Sequence, residues 1–196
     1  MSRIISILFL ALTIFSFENA FAQNLKFKHI SVEDGLSNST IECIFQDHRG
    51  FIWFGTRDGL NKYDGNQITV YKNNQKATSL SDNFIRCIFE DKNKTLWIGT
   101  SDGLNKFNAE KDNFTSYRSK DKNATNTITS LAETDQGIWI GTYGGGLNLL
   151  KPEANAFEKF LLAKPMNLGR KNYIRDLYID KNNLIWLATD EGVTTL

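Results

Sequence analysis

From residue 41 onward, apolar runs of four to six residues alternate with polar breaks rich in Asp, Asn, Gly, Lys and Ser. The first stretch reads IECIFQ, FIWFGT, LNKYD and QITVYK, which predicts strand A at 41–46, B at 51–56, C at 60–64 and D at 67–72. Ile, Phe, Trp, Tyr and Thr fill these runs, and Asp-Gly, Asp-x-x-Gly and Asn-Asn separate them. No ten-residue stretch keeps a helical 3.6 spacing free of such breaks, so the chain reads as all-β.

The pattern is periodic. FIWFGTRDGLNKYDGN at 51–66 returns as TLWIGTSDGLNKFNAE at 95–110, with eight of sixteen positions identical. Trp53, Trp97, Trp139 and Trp186, spaced 44, 42 and 47 apart, fix the register of four copies: IWFGTRDGL, LWIGTSDGL, IWIGTYGGGL and IWLATDEGV. Ile41, Ile85, Ile128 and Ile174 open the strand before each Trp motif, and apolar pairs three apart follow it: Ile68 and Tyr71, Phe114 and Tyr117, Phe157 and Phe160. Such a period suits either propeller blades or helical repeats, and the strand punctuation selects blades of four antiparallel strands. The blades span about 36–78, 80–125, 126–167 and 172–196, the last ending before its D strand, so about 3.75 blades are present. LKFKHI at 25–30 precedes GLSNSTI as a D strand precedes the next A strand, and is read as strand D of a closing blade. The expectation is a fragment of a larger propeller, with a closed four-blade unit as the alternative.

A blade between two blades has no wet face, which explains the near-continuous apolarity of strands A and B. Each Trp then buries roughly 150–250 Å², on the order of 4–6 kcal/mol before entropy is subtracted. Gly59 and Gly103 follow Asp in the B–C hairpins, where a positive φ is expected. Gly55, Gly99 and Gly141 stand two after a Trp and are read as points of close backbone approach; Ala188 in the fourth copy makes the constraint one of size.

Ahead of the repeats, Arg3, the apolar run Ile4 to Phe17 and the Ala20-Phe21-Ala22 triplet have the order of a secretory signal peptide over residues 1–22. The run is short for a membrane span, with a short uncleaved anchor as the alternative, and export to the periplasm is expected. The net charge of +1 is spread evenly, which argues against a nucleic-acid partner.

Candidate chemistry is sparse. GTYGGGLN at 141–148 lacks the Gly-Lys-Ser/Thr of a phosphate loop and reads as a B–C turn one residue longer than its neighbours. Cys43 and Cys87 occupy equivalent A-strand positions, held by Ser130 and Asp176 in the other copies, and read as small buried residues rather than a bridge. His29 and His48 stand too far apart for a zinc site, and no metal or cofactor is expected. Asp47, Asp91 and Asp180 recur once per blade, as turn-capping residues do and catalytic carboxylates do not.

GLSNSTIECIFQDHRGFIWFGTRDGLNKYDG and LSDNFIRCIFEDKNKTLWIGTSDGLNKF, with looser copies at 126–150 and 172–196, resemble the two-component regulator propeller repeat. Thr134 for the repeat's Asp, Ala188 for its Gly and the extra Gly in 144–146 depart from it at turns. The resemblance implies the sensor region of a hybrid two-component receptor in a polysaccharide-degrading bacterium. It also implies a seven-bladed propeller, often in tandem, continued by a β-sandwich domain, a membrane span, a histidine kinase and a response regulator. Partners would be the remaining blades and kinase, or a second receptor chain. Propellers bind ligands on the face of the D–A and B–C loops, which places Arg57, Tyr143, Arg170, Lys171 and Tyr173 in a candidate oligosaccharide site, with Asp58, Asp102, Asp190 and Glu191 as weaker candidates. The expected function is ligand sensing without catalysis by this chain, ahead of a plain interaction scaffold and of a propeller lyase or glycosidase.

Overall fold

The apolar runs form strands close to where the pattern puts them. The computed structural model describes residues 26–119, 125–160 and 173–196, and these contain four antiparallel sheets and no α-helix. Blade 1 comprises β1 (Ile41–Gln46), β2 (Ile52–Thr56), β3 (Gly59–Tyr63) and β4 (Ile68–Tyr71). Blade 2 comprises β5 (Ile85–Glu90), β6 (Leu96–Thr100), β7 (Gly103–Asn108) and β8 (Asn113–Tyr117). Blade 3 comprises β9 (Ile128–Thr134), β10 (Gly137–Thr142), β11 (Gly146–Leu150) and the two-residue β12 (Glu158–Lys159). The described part of blade 4 holds β13 (Ile174–Ile179), β14 (Ile185–Thr189) and β15 (Gly192–Thr195). Each sheet is a meander in chain order.

The innermost strands pack on one another in series, β1 on β5, β5 on β9 and β9 on β13, the arrangement of a partial β-propeller. Three cores fill the spaces between consecutive sheets. Trp53 and Leu60 of blade 1 meet Ile85, Ile98, Phe107 and Phe114 of blade 2. Trp97 and Leu104 meet Ile128, Ile140, Leu150 and Phe157. Trp139 and Leu147 meet Ile174, Leu177 and Leu187. Trp53, Trp97 and Trp139 are buried, whereas Trp186, expected to be a wedge like the others, is 40% exposed, because among the described residues no further sheet covers its face.

Each Trp is also tethered. The indole N–H of Trp53, Trp97 and Trp186 donates to the Oδ2 of Asp47, Asp91 and Asp180, six residues earlier, at 3.0, 2.9 and 3.1 Å. The other carboxylate oxygen of each Asp accepts two backbone N–H groups of the A–B turn. These aspartates are therefore turn caps, as expected, and indole acceptors as well.

The glycines after each Trp are crowded by side chains and not, as expected, by backbone. A Cβ on Gly55 would strike Cys43 Sγ across the hairpin and lie 2.7 Å from Cγ2 of Ile85 on the next blade. At Gly99 the same atoms come from Cys87 and Ile128, and at Gly141 the Ser130 Oγ and Ile174 Cγ2 take their places. None of the three has a positive φ, so size is the constraint. Gly59 and Gly103 do open the C strands at φ +132° and +133°, as the hairpins require.

Residues 26–31 form no strand. Their backbone has no ladder partner among the described residues; Phe27 is 91% exposed, and Lys28 Nζ reaches the Tyr63 hydroxyl of blade 1 at 3.0 Å. Residues 1–25, which carry the signal-peptide reading, lie outside the described residues.

Candidate functional site

The D–A and B–C loops meet on one face, where the D–A loops entering blades 2 and 3 hand carbonyls to neighbouring B–C hairpins. Gly59 N–H donates to Asn83 O at 2.8 Å and Gly103 N–H to Asn126 O at 2.9 Å, each bond crossing from one blade to the next. Beneath these loops lies a repeated polar knot. In blade 1 the Asn61 carboxamide accepts from Ser37 N–H at 2.8 Å and donates to Ser37 Oγ at 2.9 Å, while Thr56 Oγ1 donates to Gly59 O at 2.8 Å. Asn105, Ser81, Thr100 and Gly103 repeat it in blade 2. Buried polar groups satisfied in this way hold the hairpin tips in fixed positions.

On this scaffold the rim carries two aromatic clusters. In the first, which joins blades 3 and 4, the rings of Tyr143 and Tyr173 meet edge to face at 4.6 Å and the two residues form an isolated antiparallel bridge. The Arg175 guanidinium lies 5.0 Å from the Tyr143 ring centre and is gripped by Asp190, Nε to Oδ1 at 2.6 Å and a terminal nitrogen to Oδ2 at 3.2 Å. That hydrogen bond, together with the Asp190 charge, raises the Arg175 pKa. Tyr143 is 42% exposed, and the third B–C loop projects it because Thr142 pairs with Gly146, leaving three loop residues where blades 1 and 2 leave two.

In the second cluster, between blades 1 and 2, Phe84 is half-buried beneath two cations: the guanidinium of Arg86 stands 4.3 Å and that of Arg57 5.5 Å from its ring centre. Arg57 Nε donates to Glu42 Oε1 at 2.6 Å, and Arg86 Nε donates to Ser101 Oγ at 2.9 Å.

Of the residues expected to form the site, Tyr143 and Tyr173 are in contact and Arg57 belongs to the separate Phe84 cluster; Arg170 and Lys171 lie outside the described residues. Asp58 and Asp102 serve the hairpins, paired with Lys72 at 2.6 Å and Arg118 at 2.9 Å. Phe84, Arg86 and Arg175 were missed. Their signal lay at the start of each A strand, where the residues flanking its first Ile, Phe84 and Arg86 or Tyr173 and Arg175, emerge beside the B–C hairpin.

Clefts on the opposite face follow from blade packing. One of about 620 Å³ is walled by Trp139, Phe160, Ile185 and Leu196, and one of about 300 Å³ by Trp97, Tyr117 and Leu150. Most of these side chains belong to the cores between blades, whereas the rim presents exposed aromatic and ionic groups together. Cys43 and Cys87, inside the arc, are free, and burial pushes the Cys43 thiol up to about 12 and also raises that of Cys87.

Comparison with known proteins agrees with the architecture. The family described as two component regulator propeller matches residues 35–58, 79–102, 124–144 and 169–191. Histidine kinase P4 of Formosa agariphila is 46% identical over 56 residues, which cover 29% of this chain and 4% of that protein. An extracellular domain ascribed to a one component system of B. thetaiotaomicron superposes with a TM-score of 0.74 at 22% identity, over 87% of this chain and 26% of that one. Virginiamycin B lyase from Staphylococcus aureus superposes with a TM-score of 0.63 at 12% identity, over 89% of this chain and 60% of the lyase. The aligned part thus spans about a quarter of the B. thetaiotaomicron domain and a small fraction of the kinase. At these identities the two superpositions bear on the fold alone.

Proposed function

We propose, on the premise that this chain is built of two-component regulator propeller repeats, that it is the extracytoplasmic ligand-sensing part of a two-component receptor, with an oligosaccharide as its ligand. The observation that carries this reading is the Tyr143–Tyr173 pair with the Arg175–Asp190 fork beside it. An exposed aromatic surface packs against the C–H face of a sugar ring, and a planar fork of donors and acceptors next to it matches neighbouring hydroxyls. The local match to a histidine kinase and the leader-like residues 1–22 support a sensor role on the outer side of the membrane.

In such a receptor the signal is mechanical. Tyr143 comes from the B–C loop of blade 3 and Tyr173 from the loop entering blade 4, so a ligand on both ties two blades together. Only a ligand that binds two arrangements of the receptor unequally shifts their populations. The remaining blades and kinase, or a second receptor chain, would receive that shift. A lyase or glycosidase reading finds less support on the rim, where Glu42, Asp58, Asp102 and Asp190 are each held by a Lys or Arg.

Titration calorimetry of the intact chain against an oligosaccharide panel tests the reading. At least one glycan should bind, with affinity falling about tenfold in Tyr143→Ala. Failure of every glycan, with retained binding to a receptor partner, would turn the reading to the interaction scaffold.

A further inference from the structure

Arg49, Arg57, Arg118 and Arg175 are each paired with a carboxylate, and Arg86 alone among the described arginines has none. Neutral groups hold it instead: the Phe84 ring 4.3 Å from its guanidinium and the Ser101 hydroxyl, which accepts from Nε at 2.9 Å. A guanidinium stacked on a ring and fixed through Nε keeps its terminal N–H groups as a fork suited to two oxygens of one anion. Of the acids around Phe84, Glu42 pairs with Arg57 at 2.6 Å and Asp82 accepts the Phe84 N–H at 2.8 Å. The residue is half-buried, so the charge is less screened than on an open surface.

The fork is also wired to the tyrosine cluster. Thr127 Oγ1 donates to Ser101 O at 3.0 Å, and Tyr143 N–H donates to Thr127 O at 2.9 Å. Arg86 and Tyr143 therefore stand on adjacent blades, linked through two residues. We propose that Arg86 is the anion-recognising residue of the rim, and that the oligosaccharide it takes is acidic, bearing a carboxylate or a sulfate ester. This rests on reading the rim as a saccharide site.

The test is calorimetry of the intact chain with a neutral, a uronate and a sulfated oligosaccharide of equal length, repeated with Arg86→Gln and Ser101→Ala. An acidic oligosaccharide should bind in preference to the neutral one, and the member of the acidic pair that binds more tightly identifies the group. Arg86→Gln should weaken it about 10- to 100-fold, with a smaller loss in Ser101→Ala, which frees the fork but keeps its charge. An unchanged circular-dichroism melt shows that Arg86→Gln is folded; should it melt early, the Ser101→Ala loss and weakening by added salt decide instead. Binding of the acidic ligand within twofold of wild type in Arg86→Gln would overturn the proposal. A preference for the neutral glycan that depends on Tyr143 would overturn it too, while sparing the saccharide reading. Binding of no saccharide would overturn both.

Discussion

Trp139 donates its indole N–H to the Thr134 hydroxyl at 2.9 Å, where Trp53, Trp97 and Trp186 each donate to an aspartate carboxylate. The substitution of Thr for the repeat's Asp therefore preserves the bond and drops the charge. A charged acceptor binds more strongly than a neutral one. Asp47 accepts four hydrogen bonds from its turn, the indole and Arg49, and Asn in its place would face the indole and the guanidinium with a donor. Asp47→Asn should cost about 1–3 kcal/mol, and Thr134→Val about 1 kcal/mol, in urea unfolding followed by Trp fluorescence.

Two of these aspartates, Asp47 and Asp180, contribute to the acid limit of the fold. Burial works to raise the Asp47 pKa, but the bonds from Trp53, Arg49 and Phe51 outweigh it and hold the carboxyl below its ordinary value; Trp186 and Leu184 do the same for Asp180. A depressed native pKa adds stability that is fully present above the unfolded value of about 3.9 and is lost as pH falls through the lower native value. Urea midpoints should hold from pH 7 to about 5 and fall below about 4, and the fall should be shallower in Trp53→Phe. An identical acid profile in that variant would show that the indole bond does not couple to the titration.

How much of this was legible in the sequence depended on whether a feature recurs in one residue type. The Trp and the opening Ile recur in all four copies because every blade meets its neighbour in the same way, so the strand pattern could be read directly. Thr134 was harder to place, standing five residues before its Trp instead of six. The rim residues were largely hidden, since the position after the first Ile of each A strand holds Glu42, Arg86, Thr129 or Arg175, and only the fold shows that all four stand beside a B–C hairpin. Residues 25–30 matched a D strand in pattern, but a pattern supplies no neighbour to pair with.

Crowding at Gly99 is a contact among three residues, and a mutant cycle can measure it. A Cβ there would strike Cys87 Sγ and approach Ile128 Cγ2 at 2.7 Å. Gly99→Ala should cost about 1–3 kcal/mol by overpacking. Adding Cys87→Ala removes one of the two obstacles, so the double variant should be less destabilised than the sum, by about 0.5 kcal/mol or more. Strict additivity would place the conflict wholly at Ile128.

Glu90 clamps blade 2 to blade 1. Its carboxylate accepts the His48 backbone N–H at 3.2 Å and lies 2.7 Å from His48 Nδ1, and Glu133 accepts Lys92 N–H at 2.7 Å in the same position one blade on. Glu90→Ala leaves the turn N–H to water and should cost about 1 kcal/mol. Hydrogen exchange separates this from a general loosening: the His48 amide should exchange faster, while that of Lys92, held by Glu133, keeps its protection.

The thiols offer the last test, because burial and reactivity make opposite demands on them. With its pKa pushed up to about 12 by burial, Cys43 stays protonated at pH 8, and Cys87 is shifted the same way. Only the thiolate attacks an alkylating reagent, so both should be inert in the folded chain and react promptly once it is unfolded in urea. Mass spectrometry after a timed iodoacetamide pulse should find no adduct on folded protein and two on unfolded protein. Rapid modification of Cys43 under native conditions would mean that the Gly55 side of the hairpin opens to solvent. A missing pair of adducts after unfolding would mean that the two cysteines are joined.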